Sequence, residues 1–184
     1  MRGEEALFAG HLEKLLNGAF KCGIKIGLGS NLLYTLEIDA TGQVRPNAEE
    51  RKDPKRGQLY AFETDILIER TNPAIPLVVL ELKYASFSTH DIITYSSKAT
   101  RHKQVYPYLR YGFVLGGSKS LSKKFLAHNQ GIDFAMSMYD LSTDGPKLLQ
   151  LVGRQIRYAK TLVEVMRNDR KTFKCFAKGI DVET

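Results

Sequence analysis

The sequence lacks most of the features that mark secreted proteins, proteins with structural zinc sites and membrane proteins. Only two cysteines occur, Cys22 and Cys175, and neither forms part of a CxxC pair. This argues against a disulfide framework and a structural zinc site, and it fits a reducing compartment. No apolar run of about 18 residues is present, so we expect no transmembrane helix. Residues 1–5 are acidic where a secretory signal would be basic and then apolar. We therefore expect a cytoplasmic protein without a membrane partner.

The composition is that of one soluble globular domain, which we expect to span residues 1–184. Hydrophobic residues make up 43% of the chain and charged residues 26%, enough apolar material for a core. The net charge of +7 favours a polyanionic partner. Residues 98–178 carry 16 basic and 5 acidic side chains, whereas residues 1–97 carry 11 and 13. The basic region indicates either a binding face or a solvated helical surface, and charge alone leaves both interpretations open.

The hydrophobic periodicity predicts a mixed α/β sandwich in which strands and helices alternate. A capping box at Ser88 and Asp91 predicts the start of a helix that ends near Pro107. Residues 40–58 are polar and rich in glycine and proline, which predicts a long functional or mobile loop. The predicted helices are 4–17, 88–106, 120–128 and about 147–168, and the predicted strands are 32–38, 59–69, 77–84, 112–115 and 132–141.

Two acidic residues and a lysine lie inside predicted strands, where charges are costly unless they pair or bind something. Glu81 and Lys83 belong to the apolar strand 77–84 and project from one face of it, because strand side chains alternate. Asp65 lies in the preceding strand, so pairing of the two strands brings it towards Glu81. Two neighbouring carboxylates repel each other unless a cation lies between them. Oxygen ligands with room for water suit Mg²⁺ or Mn²⁺.

These residues resemble the motif of the PD-(D/E)XK nuclease superfamily, the restriction-endonuclease-like fold. Asp65 is followed sixteen residues later by Glu81-Leu82-Lys83, and Thr64 stands where the motif name has proline. The resemblance covers residues 59–117 and implies a mixed central sheet flanked by helices. It also implies that Asp65, Glu81 and the backbone carbonyl of Leu82 bind Mg²⁺, for which Mn²⁺ is expected to substitute. Lys83 then orients the attacking water.

The helix after this motif carries a second similarity. Gln104 and Tyr108 have the Q-x-x-x-Y spacing of the RecB-like branch, in which these side chains contact the substrate; Pro107 lies between them. Lys98 and Arg101 belong to a polar stripe that is suited to phosphates. The alternative for this segment is an ordinary capped and packed helix.

Two further groups of residues are candidates for the site. Some superfamily members place a glutamate of the first helix near the metal, and Glu5 fits that role. The alternative is an exposed carboxylate in the first turn of a helix. Lys119, Lys123 and Lys124 form a basic cluster that either clamps a phosphate backbone or begins a solvated helix.

The predicted function is that of a metal-dependent nuclease acting on DNA, with a restriction-type endonuclease as the first choice. Cutting both strands of a duplex requires two active sites, so we expect a homodimer. Two alternatives remain: a repair or recombination nuclease acting on branched or single-stranded DNA, and a non-catalytic DNA-binding module on the same fold.

Overall fold

A mixed five-stranded sheet forms the centre of the fold, with helices on both faces. The computed structural model describes residues 2–45, 60–168, 172–177 and 181–182. The strand order is β1-β4-β5-β6-β7, in which β1, β4 and β5 are antiparallel and β5, β6 and β7 are parallel. The elements are α1 Arg2–Ala19, β1 Ile24–Leu33, β2 Glu37–Ile38, β3 Val44–Arg45, β4 Ala61–Thr71, β5 Ala74–Tyr84, α2 Thr89–Val105, β6 Arg110–Gly116, α3 Lys124–His128, β7 Phe134–Met138 and α4 Leu141–Arg167.

The two faces of the sheet have separate hydrophobic cores. On one face, α1 and α4 pack against the strands through residues such as Leu12 and Val152. On the other face, α2 and α3 pack through residues such as Ile92 and Phe125. Strand β5 is apolar on both sides because it contributes to both cores, as a central strand does.

Helix α2 is fixed at its start and near its middle. Ser88 and Asp91 form the predicted capping box, with the side chain of each bonded to the backbone of the other. Ser96 is 3% exposed, and its hydroxyl accepts hydrogen bonds from the backbone N–H groups of Gln130 and Gly131, both at 2.6 Å. A side chain at Gly131 would collide with the Ser96 carbonyl, so this close approach requires glycine. The loop before β7 thereby holds α2 in place.

The Ser96→Ala substitution is expected to lower the free energy of unfolding by about 2 kcal/mol, because it leaves the buried N–H of Gly131 and the partly buried N–H of Gln130 without an acceptor. Urea denaturation measures the change. Ser97→Ala is the matched control: Ser97 is exposed on the same helix, and its loss is expected to cost less than about 0.5 kcal/mol. Equal effects of the two substitutions would show that the buried hydroxyl does not anchor α2.

The predicted α/β class and flanking helices are confirmed, but one predicted strand is wrong. Residues 32–38 do not form one strand: residues 32–33 end the strand Ile24–Leu33, and Glu37–Ile38 forms a short hairpin with Val44–Arg45. The reason is that the backbone N–H and carbonyl groups on the side of β4 away from β5 are paired by β1, along Ile24–Leu33. Residues 46–58 of the predicted loop lie outside the described residues.

The remaining elements were predicted with shifted ends. Helix α4 begins at Leu141 rather than near residue 147, because Asp140 caps it by accepting a hydrogen bond from the Ser142 N–H. Helix α3 and strand β7 are shorter than predicted. In the described part of the chain, no helix combines the length and apolar character needed to cross a membrane.

Candidate functional site

Strands β4 and β5 separate at one end, and Asp65 lies at the point of separation. Their paired residues run from Thr71–Ala74 at the turn to Ile66–Leu80. Beyond this point the N–H of Leu82 donates a hydrogen bond of 2.6 Å to the Asp65 carboxylate instead of to a backbone carbonyl. Strand β5 continues to Tyr84 by pairing with β6 alone. The end of β5 is therefore open on the side where β4 leaves it, and a carboxylate lies in the opening.

Glu81 is the buried acid of the site, with only 1% of its surface exposed. One carboxylate oxygen, Oε1, lies 2.6 Å from the Lys98 ammonium of α2 and accepts a hydrogen bond of 2.5 Å from the Tyr111 hydroxyl of β6. Burial raises the pKa of Glu81 from 4.5 to about 7; the charge of Lys98 opposes this rise and that of Asp65 adds to it. Glu81 is thus a buried carboxylate whose negative charge is only partly compensated by Lys98.

Lys83 follows Glu81 by two residues and contacts a helix from the other face of the sheet. Its ammonium lies 3.5 Å from the Glu5 carboxylate, which the first turn of α1 carries. It also lies 6.0 Å from the centre of the Tyr95 ring, and the Lys98 ammonium lies 5.7 Å from the same ring. Burial, and then the charge of Glu81, raises the pKa of the Tyr95 hydroxyl, so Tyr95 remains neutral. Both ammonium groups thus lie near the one Tyr95 ring.

The oxygen atoms at the strand opening fit a hard divalent cation. Asp65 and Glu81 supply carboxylates from adjacent strands. In a β-ladder the N–H and carbonyl of one residue point to the same side, so the Leu82 carbonyl faces the opening together with the N–H that bonds Asp65. Within the described ranges, no group of three or more histidine, cysteine, aspartate or glutamate side chains forms a metal site. Two carboxylates and a carbonyl, with water, are oxygen ligands of the kind that suits Mg²⁺ or Mn²⁺ rather than zinc.

The other residues predicted for this helix divide into two groups. Arg101 and Gln104 are exposed on α2. Tyr108 follows the end of α2 at Val105 and packs against the core on the α1 and α4 face. The structure therefore does not bring Gln104 and Tyr108 together beside Glu81, because the helix ends between them.

A surface cavity of about 460 Å³ lies next to the Lys98–Glu81 pair. It is formed by Phe62, Glu63, Ile93, Thr94, Ser97 and Lys98. Three polar side chains of α2, those of Thr94, Ser97 and Lys98, thus line this cavity.

The basic cluster after β6 lies at the same end of the sheet as Lys83, because β5 and β6 are parallel. The Lys119 ammonium lies 4.8 Å from the centre of the exposed Tyr139 ring. Lys123 and Lys124 are exposed at the start of α3. These three lysines therefore lie on the surface, at the end of the sheet that carries Lys83, and not next to the Asp65 and Glu81 carboxylates.

The sequence predicts Lys98 on a DNA-binding stripe but does not predict the contacts of Tyr95 and Tyr111 with the site. The sequence does indicate that Tyr95 and Lys98 are neighbours, because they are three residues apart and share a helix face. Tyr111 carries no sequence signal, because its contact with Glu81 depends on the pairing of β6 with β5.

No protein-family model matches the chain, and no curated protein matches it. The structure therefore defines the class by architecture alone: an α/β domain with an open mixed sheet and a cluster of carboxylates and lysines where two strands part.

Proposed function

We propose that this chain is a metal-dependent nuclease that hydrolyses DNA phosphodiester bonds at the opening between β4 and β5, with the residue arrangement of the PD-(D/E)XK superfamily. The observation that supports this most directly is the hydrogen bond from the Leu82 N–H to the Asp65 carboxylate. It brings Asp65 next to the residue that lies between Glu81 and Lys83 in the sequence. A strand opening with two acids and a lysine is an expensive arrangement for a protein that uses none of them.

Asp65, Glu81 and the Leu82 carbonyl would hold the divalent cation, which when bound polarises the phosphate and neutralises the charge on the leaving oxygen. Lys83 holds the attacking water in line with phosphorus, and its contact with Glu5 keeps the ammonium near that position. Tyr111 and Lys98 orient the Glu81 carboxylate, the former by a hydrogen bond and the latter by charge. Glu5 is therefore assigned to positioning Lys83.

Lys98, Arg101 and the lysines after β6 supply positive charge around this opening, and DNA binding should weaken steeply with added salt. A restriction-type enzyme would cut both strands of a duplex, and this favours a homodimer that carries two such sites. Sedimentation with and without duplex DNA reports that oligomeric state.

The test is a panel of plasmid, duplex, branched and single-stranded DNA incubated with Mg²⁺, Mn²⁺ or EDTA. We expect cleavage with either metal and none in EDTA. Plasmid linearised by double-strand cuts supports a restriction-type enzyme, whereas cleavage confined to branched or single-stranded DNA supports a repair nuclease. DNA binding without cleavage of any substrate would contradict the proposal and favour a binding module.

A further inference from the structure

A row of aromatic rings runs along the outer part of the sheet beside α2. The rings of Tyr34 and Phe62 are stacked, with centroids 4.0 Å apart and planes inclined by 16°. The Tyr60 ring meets Tyr34 edge-on at 6.2 Å, and the Tyr34 N–H donates a hydrogen bond of 2.8 Å to the Tyr60 carbonyl. Tyr60 is 39% exposed. We call these three residues the aromatic strip.

The aromatic strip is held firmly on its inner side. The Phe62 ring meets the ring of His102 at 5.7 Å, and His102 is buried and bonded through Nε2 to the Leu32 carbonyl at 3.1 Å. Rigid aromatic rings lose little conformational entropy when a flat ligand stacks on them. The inner end of the strip is thus fixed by the core, and the outer end is open to solvent.

Positive charge lies beside the strip. The guanidinium carbon of Arg101 is 5.6 Å from the centre of the Tyr34 ring, and Arg101 is exposed. An arginine next to aromatic rings, of which Tyr34 is half-buried and Tyr60 is exposed, matches a ligand that combines flat rings with anionic groups. Single-stranded nucleic acid has this chemistry, whereas the bases of an intact duplex are already stacked on one another.

The strip is continuous with the proposed site. Phe62 also lines the 460 Å³ cavity, together with the apolar Ile93 and with Lys98. The Lys98 ammonium lies 2.7 Å from the Glu63 carbonyl and 2.6 Å from Glu81. The apolar side chains of Phe62 and Ile93 line this cavity, so bases rather than phosphates suit this part of the path. A strand stacked on the aromatic strip would lead through this cavity towards Glu81.

We propose that the aromatic strip binds unpaired nucleotides, so that the preferred substrate is DNA with a single-stranded segment next to the scissile bond. This inference rests on the proposed nuclease function for the scissile bond, but the binding itself requires no metal or cleavage. A base would stack on the exposed Tyr60 ring, and Arg101, which lies over the Tyr34 ring, would contact the backbone beside it.

The test measures fluorescence anisotropy in EDTA with two probes, an oligothymidylate of about 12 nucleotides and a blunt duplex of about 12 base pairs. We expect the wild type to bind the single strand at least about tenfold more tightly, and Tyr60→Ala to weaken that binding by about tenfold, the effect of losing one stacked base. The matched control is Tyr158→Ala, because Tyr158 is 49% exposed on α4, on the other face of the sheet. This variant should bind as the wild type does.

Tyr60→Leu keeps an apolar side chain without an aromatic face, and it serves if the alanine variant does not fold. Equal affinity for the two probes, or unchanged single-strand binding in whichever Tyr60 variant folds, would overturn the inference. Both results leave the nuclease proposal standing if plasmid or duplex is cut with Mg²⁺. Conversely, tight single-strand binding that depends on Tyr60, with no cleavage of any DNA, would overturn the nuclease proposal and retain the aromatic strip.

Discussion

Asp65→Asn is expected to reduce DNA cleavage by about a thousandfold or more, which corresponds to about 4 kcal/mol of transition-state stabilisation. The physical reason is that the substitution removes the negative charge of the side chain and leaves its shape nearly unchanged. The asparagine side chain has nearly the same shape, and its carbonyl oxygen accepts the Leu82 N–H as the carboxylate does. The strand opening therefore remains intact, while the negative charge that binds a divalent cation is lost. Single-turnover cleavage of a labelled oligonucleotide in Mg²⁺ measures the change.

The matched control is Glu69→Gln on the same strand. Glu69 pairs with exposed Lys25 at 3.6 Å near the opposite end of β4, and such surface pairs contribute little. We expect this variant to cleave at the rate of the wild type. Asp65→Asn should also keep the wild-type melting temperature and DNA affinity in EDTA, which separates lost catalysis from lost folding. Cleavage by Asp65→Asn at more than about a tenth of the wild-type rate would remove Asp65 from the metal site.

The placement of Asp65, Glu81 and Lys83 could be predicted from the sequence because it depends on local rules. Side chains alternate along a strand, and a tight turn brings two consecutive strands side by side. The contact of Lys98 with Glu81 could not be predicted in this way, because it depends on how α2 packs across the sheet. The contact of Tyr111 with Glu81 depends on the parallel pairing of β6 with β5, which joins residues far apart in the chain.

The missed strand β1 shows a different limit. Gly27 and Gly29 lower the strand propensity of residues 24–33, and Gly29 adopts a positive φ of 58°. Residues 34–38 contain better strand formers, and this moved the prediction downstream. Tertiary contacts override this difference in strand propensity. Ile26 packs into the core on the α1 and α4 face, and the backbone of β1 forms hydrogen bonds with the edge of β4.

Glu81 and His102 are expected to give the stability of the fold opposite dependences on pH. Burial raises the pKa of Glu81 from 4.5 to about 7. Between these values the folded protein holds a proton that the unfolded chain has released, so stability falls as pH rises. Burial lowers the pKa of His102 from 6.5 to about 4. In that interval the unfolded chain holds the extra proton, so stability rises with pH. The two effects oppose each other from about pH 4.5 to 6.5 and leave the wild type nearly flat there.

Single substitutions of Glu81 and His102 are expected to reveal each pH dependence of the free energy of unfolding separately. In Glu81→Gln the His102 effect remains, so the free energy of unfolding should increase by about 3 kcal/mol from pH 4 to 6.5. In His102→Gln, whose amide can still donate to the Leu32 carbonyl, it should decrease by a similar amount from pH 4.5 to 7. Urea denaturation in EDTA at half-unit pH steps measures both. A Glu81→Gln curve as flat as that of the wild type would mean that the Glu81 carboxyl is not protonated near neutral pH. With Mg²⁺ present, the decline of wild-type stability between pH 6.5 and 7 should disappear, since a cation at the carboxylates favours the ionised form.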